Sequence, residues 1–211
     1  MTSKIVYLSY IPMIKKMETD LYIIDLIDKG VTVEFWDLSS IFFTNKFQYE
    51  TINKSFVIRI MNYNELYMLL LRHSNKVTIY FSLMSLSWET IKLFRWLTIT
   101  NSRTAFFSRG TLPNIKSSSE ELERLINKIT KIKTPQILLD YFGNKLGILL
   151  KRVGFIKEFD KVFTAGLVAD ARFKDVKNTI PINYFDYDNY LLLRDSTSRL
   201  INRKYCLFLD D

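Results

Sequence analysis

The chain is poor in the residues that most directly carry chemistry. It holds one cysteine, Cys206, and one histidine, His73. A lone cysteine excludes an intramolecular disulfide and suits a reducing interior. With a single histidine, His/Cys metal clusters and Ser-His or Cys-His nucleophile pairs are hard to assemble. His73 itself, beside Arg72, reads as a surface or helix-terminal residue. Long apolar runs are missing as well. Stretches such as Tyr67–Leu71 and Ile148–Leu150 fall far short of the roughly 20 residues that cross a bilayer. The opening MTSKIVYLSY lacks a charged-then-apolar signal pattern and is better used as a first strand. Two glycine motifs are also absent. The segment SYIPMIKK, where a dinucleotide fold would carry GxGxxG, has no glycine, and bulky Ile11, Met13 and Ile14 would hold a pyrophosphate away. No GxxxxGK[ST] occurs, which argues against a P-loop nucleotide hydrolase. Asp37 stands where a ribose-binding carboxylate would stand, but without the glycine loop that role has little support.

What is present is a well-stocked core. At 211 residues, 48% hydrophobic and 15% aromatic, the chain can fill one ample domain, or one domain and the start of another. Its formal net charge of +8 suits an anionic partner, or serves solubility alone.

Hydrophobic patterning organises the chain around Lys4–Ser39. Ile5, Val6, Tyr7, Leu8 and Tyr10 form a near-continuous apolar run, as a parallel strand covered on both faces requires. Leu21, Ile24, Leu26 and Ile27 recur at helical spacing, and Gly30 suits a helix stop. Val31, Val33, Phe35 and Leu38 restart a strand, which a right-handed crossover returns parallel to the first. Further strands are expected at Phe56–Met61, Lys76–Leu83, Arg103–Phe107, Lys161–Val168, Asn178–Phe185 and Arg203–Leu209. Pro181 makes the Asn178–Phe185 piece an edge or entry strand. Between strands, helices are expected from Asn62 or Asn64 to Asn75, over Trp88–Thr98 behind a Ser87 cap, from Ser118 or Ser119 to about Lys131, and from Thr134-Pro135 to about Phe159. Strands alternating with helices give an α/β class: a doubly wound, mostly parallel, Rossmann-like sheet with helices on both faces.

Such sheets bind ligands at the carboxyl ends of their strands. This selects the loops around Tyr10–Lys16, Asp37–Ser39, Ser82–Ser85, Ser108–Gly110 and Thr164–Asp170. Ser108-Arg109-Gly110 pairs an anion-binding backbone with a guanidinium, or forms a simple turn. Asp186-Tyr187-Asp188 is a DxD tripeptide, which reads either as a helix start or as a holder of a divalent ion. Between Arg124 and Lys157 the charge is one-sided: Lys145, Lys151, Arg152 and other basic residues face Asp140 alone, interleaved with Leu and Ile. That pattern marks a membrane-surface helix or a core-packing helix with solvated lysines. Its aromatics do not alternate with basic residues in a stacking pattern, so no nucleic-acid partner is expected.

Taken together, KIVYLSYIPMIKKMETDLYIIDLIDKGVTVEFWDLSSIF, KVFTAGLVAD, PINYFDYDNYLL and CLFLDD resemble the N-terminal half of bacterial surface-polysaccharide glycosyltransferases of the GT-B type. The resemblance lies in pattern and order, not in a catalytic motif, and the family's usual glycine-rich first loop is absent. It implies an acceptor-side Rossmann-like domain over 1–203, with 204–211 as the first strand of a donor-binding domain. The partners implied are a sugar acceptor carried on a lipid, a sugar nucleotide gripped mainly by the second domain, and an anionic membrane surface. Capsule or lipopolysaccharide assembly at the inner face of the cytoplasmic membrane is the implied setting. No cofactor and no metal are implied, which demotes Asp186 and Asp188. Lys15, Lys16, Ser108 and Arg109 are the expected cleft contacts, and Lys145, Lys151 and Arg152 the expected membrane-facing residues. The catalytic base is not assigned, and such a half alone is expected to be inactive. The alternative is a standalone Rossmann-like binding or regulatory domain without catalysis.

Overall fold

The computed structural model describes residues 4–42, 51–73, 77–108, 149–165, 178–183 and 185–194. In chain order the elements are β1 (Lys4–Ser9), α1 (Lys15–Asp20), α2 (Ile23–Asp28), β2 (Thr32–Asp37), α3 (Ser39–Phe42), β3 (Val57–Arg59) and α4 (Tyr63–His73). They continue with β4 (Thr78–Ser82), α5 (Ile91–Ile99), β5 (Arg103–Ser108), β6 (Lys161–Ala165), β7 (Thr179–Ile182) and α6 (Phe185–Arg194). The strands form one seven-stranded sheet in the order β3-β2-β1-β4-β5-β6-β7. Every neighbouring pair is parallel. This is the Rossmann-like α/β fold that the alternation of strands and helices implies, left open rather than closed into a barrel.

Alternation along the strands assigns the two faces. Val6, Leu8, Trp36 and Tyr80 point to one side and pack with Leu66 and Leu70 of α4 and Leu93, Phe94 and Leu97 of α5. Tyr7, Val33 and Phe35 point to the other and pack with Met13, Leu21 and Ile23 around α1 and α2. Both faces carry apolar side chains, so the strands read as continuous runs.

The first crossover departs from a single helix. It is broken at Tyr22, whose φ of 52° is left-handed, so α1 and α2 are separate six-residue pieces. The break resets the helical phase. Ile23 becomes fully buried, while Ile24 and Ile27, expected inward, are 44% and 39% exposed. Gly30 ends α2 with φ 79°, donating its N–H to Ile27 O at 2.8 Å while Val31 N–H reaches Leu26 O at 2.9 Å. Glycine enters this region without a side-chain penalty.

Asn62 caps α4 by accepting Glu65 N–H at 3.0 Å, and Glu65 Oε2 accepts Met61 N–H at 2.8 Å. Leu66 and Leu70 are buried as expected, but Leu71 is turned out. α5 starts at Ile91, later than its expected start at Trp88, because Thr90 is spent folding the preceding turn. Its hydroxyl accepts Ser87 N–H at 2.8 Å and donates to Ser85 O at 3.0 Å. The helix expected to run to Phe159 stops near 152. Gly154 takes φ 69°, and Phe155 N–H bonds back to Leu150 O. Among the described residues β7 pairs only with β6, which suits Pro181 because an edge strand has one ladder to satisfy. The helices expected between 118 and 148, the strand Arg203–Leu209 and the proposed domain start at 204–211 lie outside the described residues.

Candidate functional site

The strand order creates a switch point between β1 and β4. The chain leaves β1 towards β2 on one side and leaves β4 towards β5 on the other. Their carboxyl-end loops therefore diverge, and a crevice is left between them. A hollow of about 390 Å³ occupies that place. Tyr10 and Ile11 line it after β1, Leu83 and Ser85 after β4, and Phe106 and Ser108 from β5. Lys151 and Phe159, from the segment before β6, close its far side. The size falls in the range of about 300–1,000 Å³ usual for small-molecule sites.

The polar groups around this hollow differ in what they still have to offer. Ser9 Oγ donates to Ile11 O at 2.8 Å and accepts Ile11 N–H at 3.0 Å, so it is committed to its own turn. Ser82 is used in the same way by Met84. Ser85 and Ser108 differ: among the described residues neither hydroxyl makes a hydrogen bond. Lys151 Nζ donates to Glu158 Oε2 at 3.1 Å and lies 5.3 Å from the centre of the Phe159 ring. Only 22% of its side chain is exposed. The hollow thus combines aromatic faces, two uncommitted hydroxyls and an ammonium. That set can pack the apolar face of a ring and bond its hydroxyls, with the ammonium already paired to Glu158.

Of the expected cleft contacts, Ser108 lines the hollow, buried to 4% exposure. Lys15 and Lys16 are exposed on α1, and Lys16 faces Asp20 at 3.8 Å. Arg109 lies outside the described residues. Of the expected membrane-facing residues, Arg152 is exposed, Lys145 lies outside the described residues, and Lys151 turns to the rim hollow. The signal for Lys151 was its place one crossover after β5, but a long connection hid which turn would face the rim. Asp37 does not project into the hollow. It is 1% exposed, accepts Ser39 N–H at 2.9 Å and pairs with Arg59 at 3.5 Å.

Asp188 has a structural engagement. Its carboxylate accepts Tyr22 O–H at 2.6 Å and Asn183 N–H at 3.1 Å. Among the described residues no cluster of three His, Cys, Asp or Glu could hold a metal ion. No described helix is long and apolar enough to cross a membrane.

A larger hollow of about 740 Å³ lies over the α1/α2 face of the sheet, walled by Tyr7, Phe81, Phe107 and Phe163. Tyr7 O–H already donates to Leu21 O at 2.8 Å. Asp20, Asp25, Lys29 and Lys161 also line it, but most of its exposed lining is apolar, so the rim hollow offers more directional partners for its size. Compared with known proteins, the chain matches no family model, no curated protein and no solved structure. What fold and site define is a class: a Rossmann-like α/β domain with a hydroxyl-bearing hollow at its switch point.

Proposed function

We propose that this chain binds a sugar acceptor in the rim hollow, as the acceptor-side half of a glycosyltransferase of surface-polysaccharide assembly. The observation that carries the reading is the pairing of the Tyr10, Phe106 and Phe159 rings with the uncommitted Ser85 and Ser108 hydroxyls. A sugar has apolar C–H faces and a hydroxyl edge, and this surface offers a partner for each. In the reaction, the acceptor oxygen forms a bond to the anomeric carbon of a sugar nucleotide as the bond to the diphosphate breaks. A base takes the acceptor proton, and a second domain grips the nucleotide. This half contributes by holding the acceptor in line, which lowers the entropic part of the barrier.

A peripheral membrane contact belongs to the same reading, since it would bring a lipid-linked acceptor to the rim from the cytoplasmic side. Leu149 is 54% exposed and Val153 67%, beside exposed Arg152. An apolar pair next to a cation suits an anionic lipid surface. The second reading, a binding or regulatory module without catalysis, is favoured by Asp37 being spent on Ser39 and Arg59 rather than facing the hollow.

Titration of the full chain with free sugars, UDP-glucose and NADH, followed by NMR, tests the carbohydrate reading. Sugar-induced shifts at the rim that Ser108→Ala and Tyr10→Ala reduce support it. NADH occupying the rim while no sugar binds sinks it. Turnover of a sugar nucleotide when a separate donor domain is supplied distinguishes the enzyme half from the binding module.

A further inference from the structure

The rim hollow has a neighbour. A second hollow of about 190 Å³ lies beside it, bounded by Phe42, Met84, Ser87, Glu89 and Thr90. Tyr10 and Ser85 line both, so one aromatic ring and one hydroxyl stand at the shared boundary. By itself the smaller space falls below the roughly 300 Å³ of an ordinary ligand cleft. It is an extension of the larger hollow, not an independent site.

Its chemistry repeats that of the larger hollow. The Phe42 and Tyr10 rings give it aromatic walls. Thr90 is committed to its turn. The Glu89 carboxylate makes no hydrogen bond or ion pair among the described residues, and its backbone oxygen alone is engaged, by Tyr63 O–H at 3.5 Å. A free carboxylate acceptor between aromatic surfaces is suited to a pair of neighbouring hydroxyls on a ring.

We propose that the groove takes an elongated saccharide, one ring in the larger hollow and the next, past Tyr10, in the smaller one, where Glu89 accepts its hydroxyls. The proposal rests on the carbohydrate reading and narrows its substrate class from a single sugar to a chain of two or more. Lys151 lies at the end in the larger hollow and Glu89 at the end in the smaller one.

The test is saturation-transfer difference NMR on the full chain with N-acetylglucosamine and glucose, and with their dimers chitobiose and cellobiose. The added hydrogen bonds to a charged group are expected to make the dimers bind at least about ten-fold tighter than the single sugars, which is about 1.4 kcal/mol. Glu89→Gln, at an exposed position, is expected to bring the dimers back to the affinity of the single sugars. Equal affinity of single sugars and dimers, or dimer binding that Glu89→Gln does not weaken, overturns the elongated ligand and leaves the carbohydrate reading standing. Absence of binding by all four sugars overturns both.

Discussion

Tyr22 O–H donates to Asp188 Oδ2 at 2.6 Å, across 166 residues of sequence. This bond joins Tyr22, the residue that precedes α2, to α6, the helix that follows the edge strand. It also gives the left-handed Tyr22 a role: the break between α1 and α2 turns the phenol towards α6. The carboxylate next to it holds the phenol protonated, helped by burial, and its pKa is pushed up to about 12.

Tyr22→Phe should lower stability by about 0.5–1 kcal/mol, the low end for a net hydrogen bond because the side chain is 40% exposed. A double-mutant cycle with Asp188→Asn in urea should show that the two losses are not additive. The pH dependence follows from the sign of the shift. A folded-state pKa raised above 10 contributes stability that is present below pH 10 and lost as pH rises from 10 through about 12. Tyr22→Phe should flatten that part of the melting profile, and an unchanged profile would count against the bond.

A second pH response comes from the polar group under the C-terminus of α4. Lys4 Nζ bonds Glu34 Oε1 and reaches His73 Nδ1 at 3.1 Å, while Trp36 Nε1–H donates to Glu34 Oε2 at 2.9 Å. Burial and the Lys4 ammonium push the His73 pKa down. Burial works to raise Glu34, but the hydrogen bonds from Lys4 and Trp36 outweigh it and hold the carboxyl below its usual range. Both folded pKa values are depressed. The associated stability is therefore present above the unfolded values and lost as pH falls, first through His73 below 6.5 and then through Glu34 below 4.5. His73→Gln should remove the first step in a melting series and leave the second.

Gly30→Ala should cost about 1 kcal/mol through backbone strain alone. A Cβ at Gly30 would meet nothing within 4 Å, so sterics add no further penalty. Chemical denaturation checks the size of the loss. A value near zero would mean that the α2 terminus relaxes.

Leu70→Ala should cost about 2–5 kcal/mol, because Leu70 is fully buried between α4 and the Trp36 side of the sheet and its removal leaves a cavity. Met68→Ala, two residues away on the same helix but 61% exposed, should change stability by no more than about 0.5 kcal/mol. Equilibrium unfolding of the pair reads the helix orientation directly.

Vesicle co-sedimentation tests the peripheral membrane contact. Wild-type chain should pellet with vesicles containing phosphatidylglycerol, and Leu149→Asp with Val153→Asp should release it. Equal pelleting of the two proteins removes the membrane from the functional reading. Lys151 is left untouched in this variant because it lines the rim hollow.

The sequence by itself determined the class of the fold. The apolar runs of β1, β4 and β5 need cover on both faces, and the segments between strands are too long for hairpins, so parallel pairing follows locally. It also marked Gly30, and narrowed the α4 cap to Asn62 or Asn64, because a left-handed stop and a side-chain cap depend only on near neighbours. Only the tertiary structure decided the rest. The break at Tyr22 is stabilised by Asp188, a partner no local pattern reveals, and with it went the facing of Ile23, Ile24 and Ile27. Ser85 and Ser9 are alike in sequence, yet one hydroxyl is committed and the other is open, because that depends on which backbone groups lie within reach. Lys151 and Glu89 came to border one groove through strand order. Periodicity reports how a segment meets water and core; which segments meet each other is set by packing across the whole sheet.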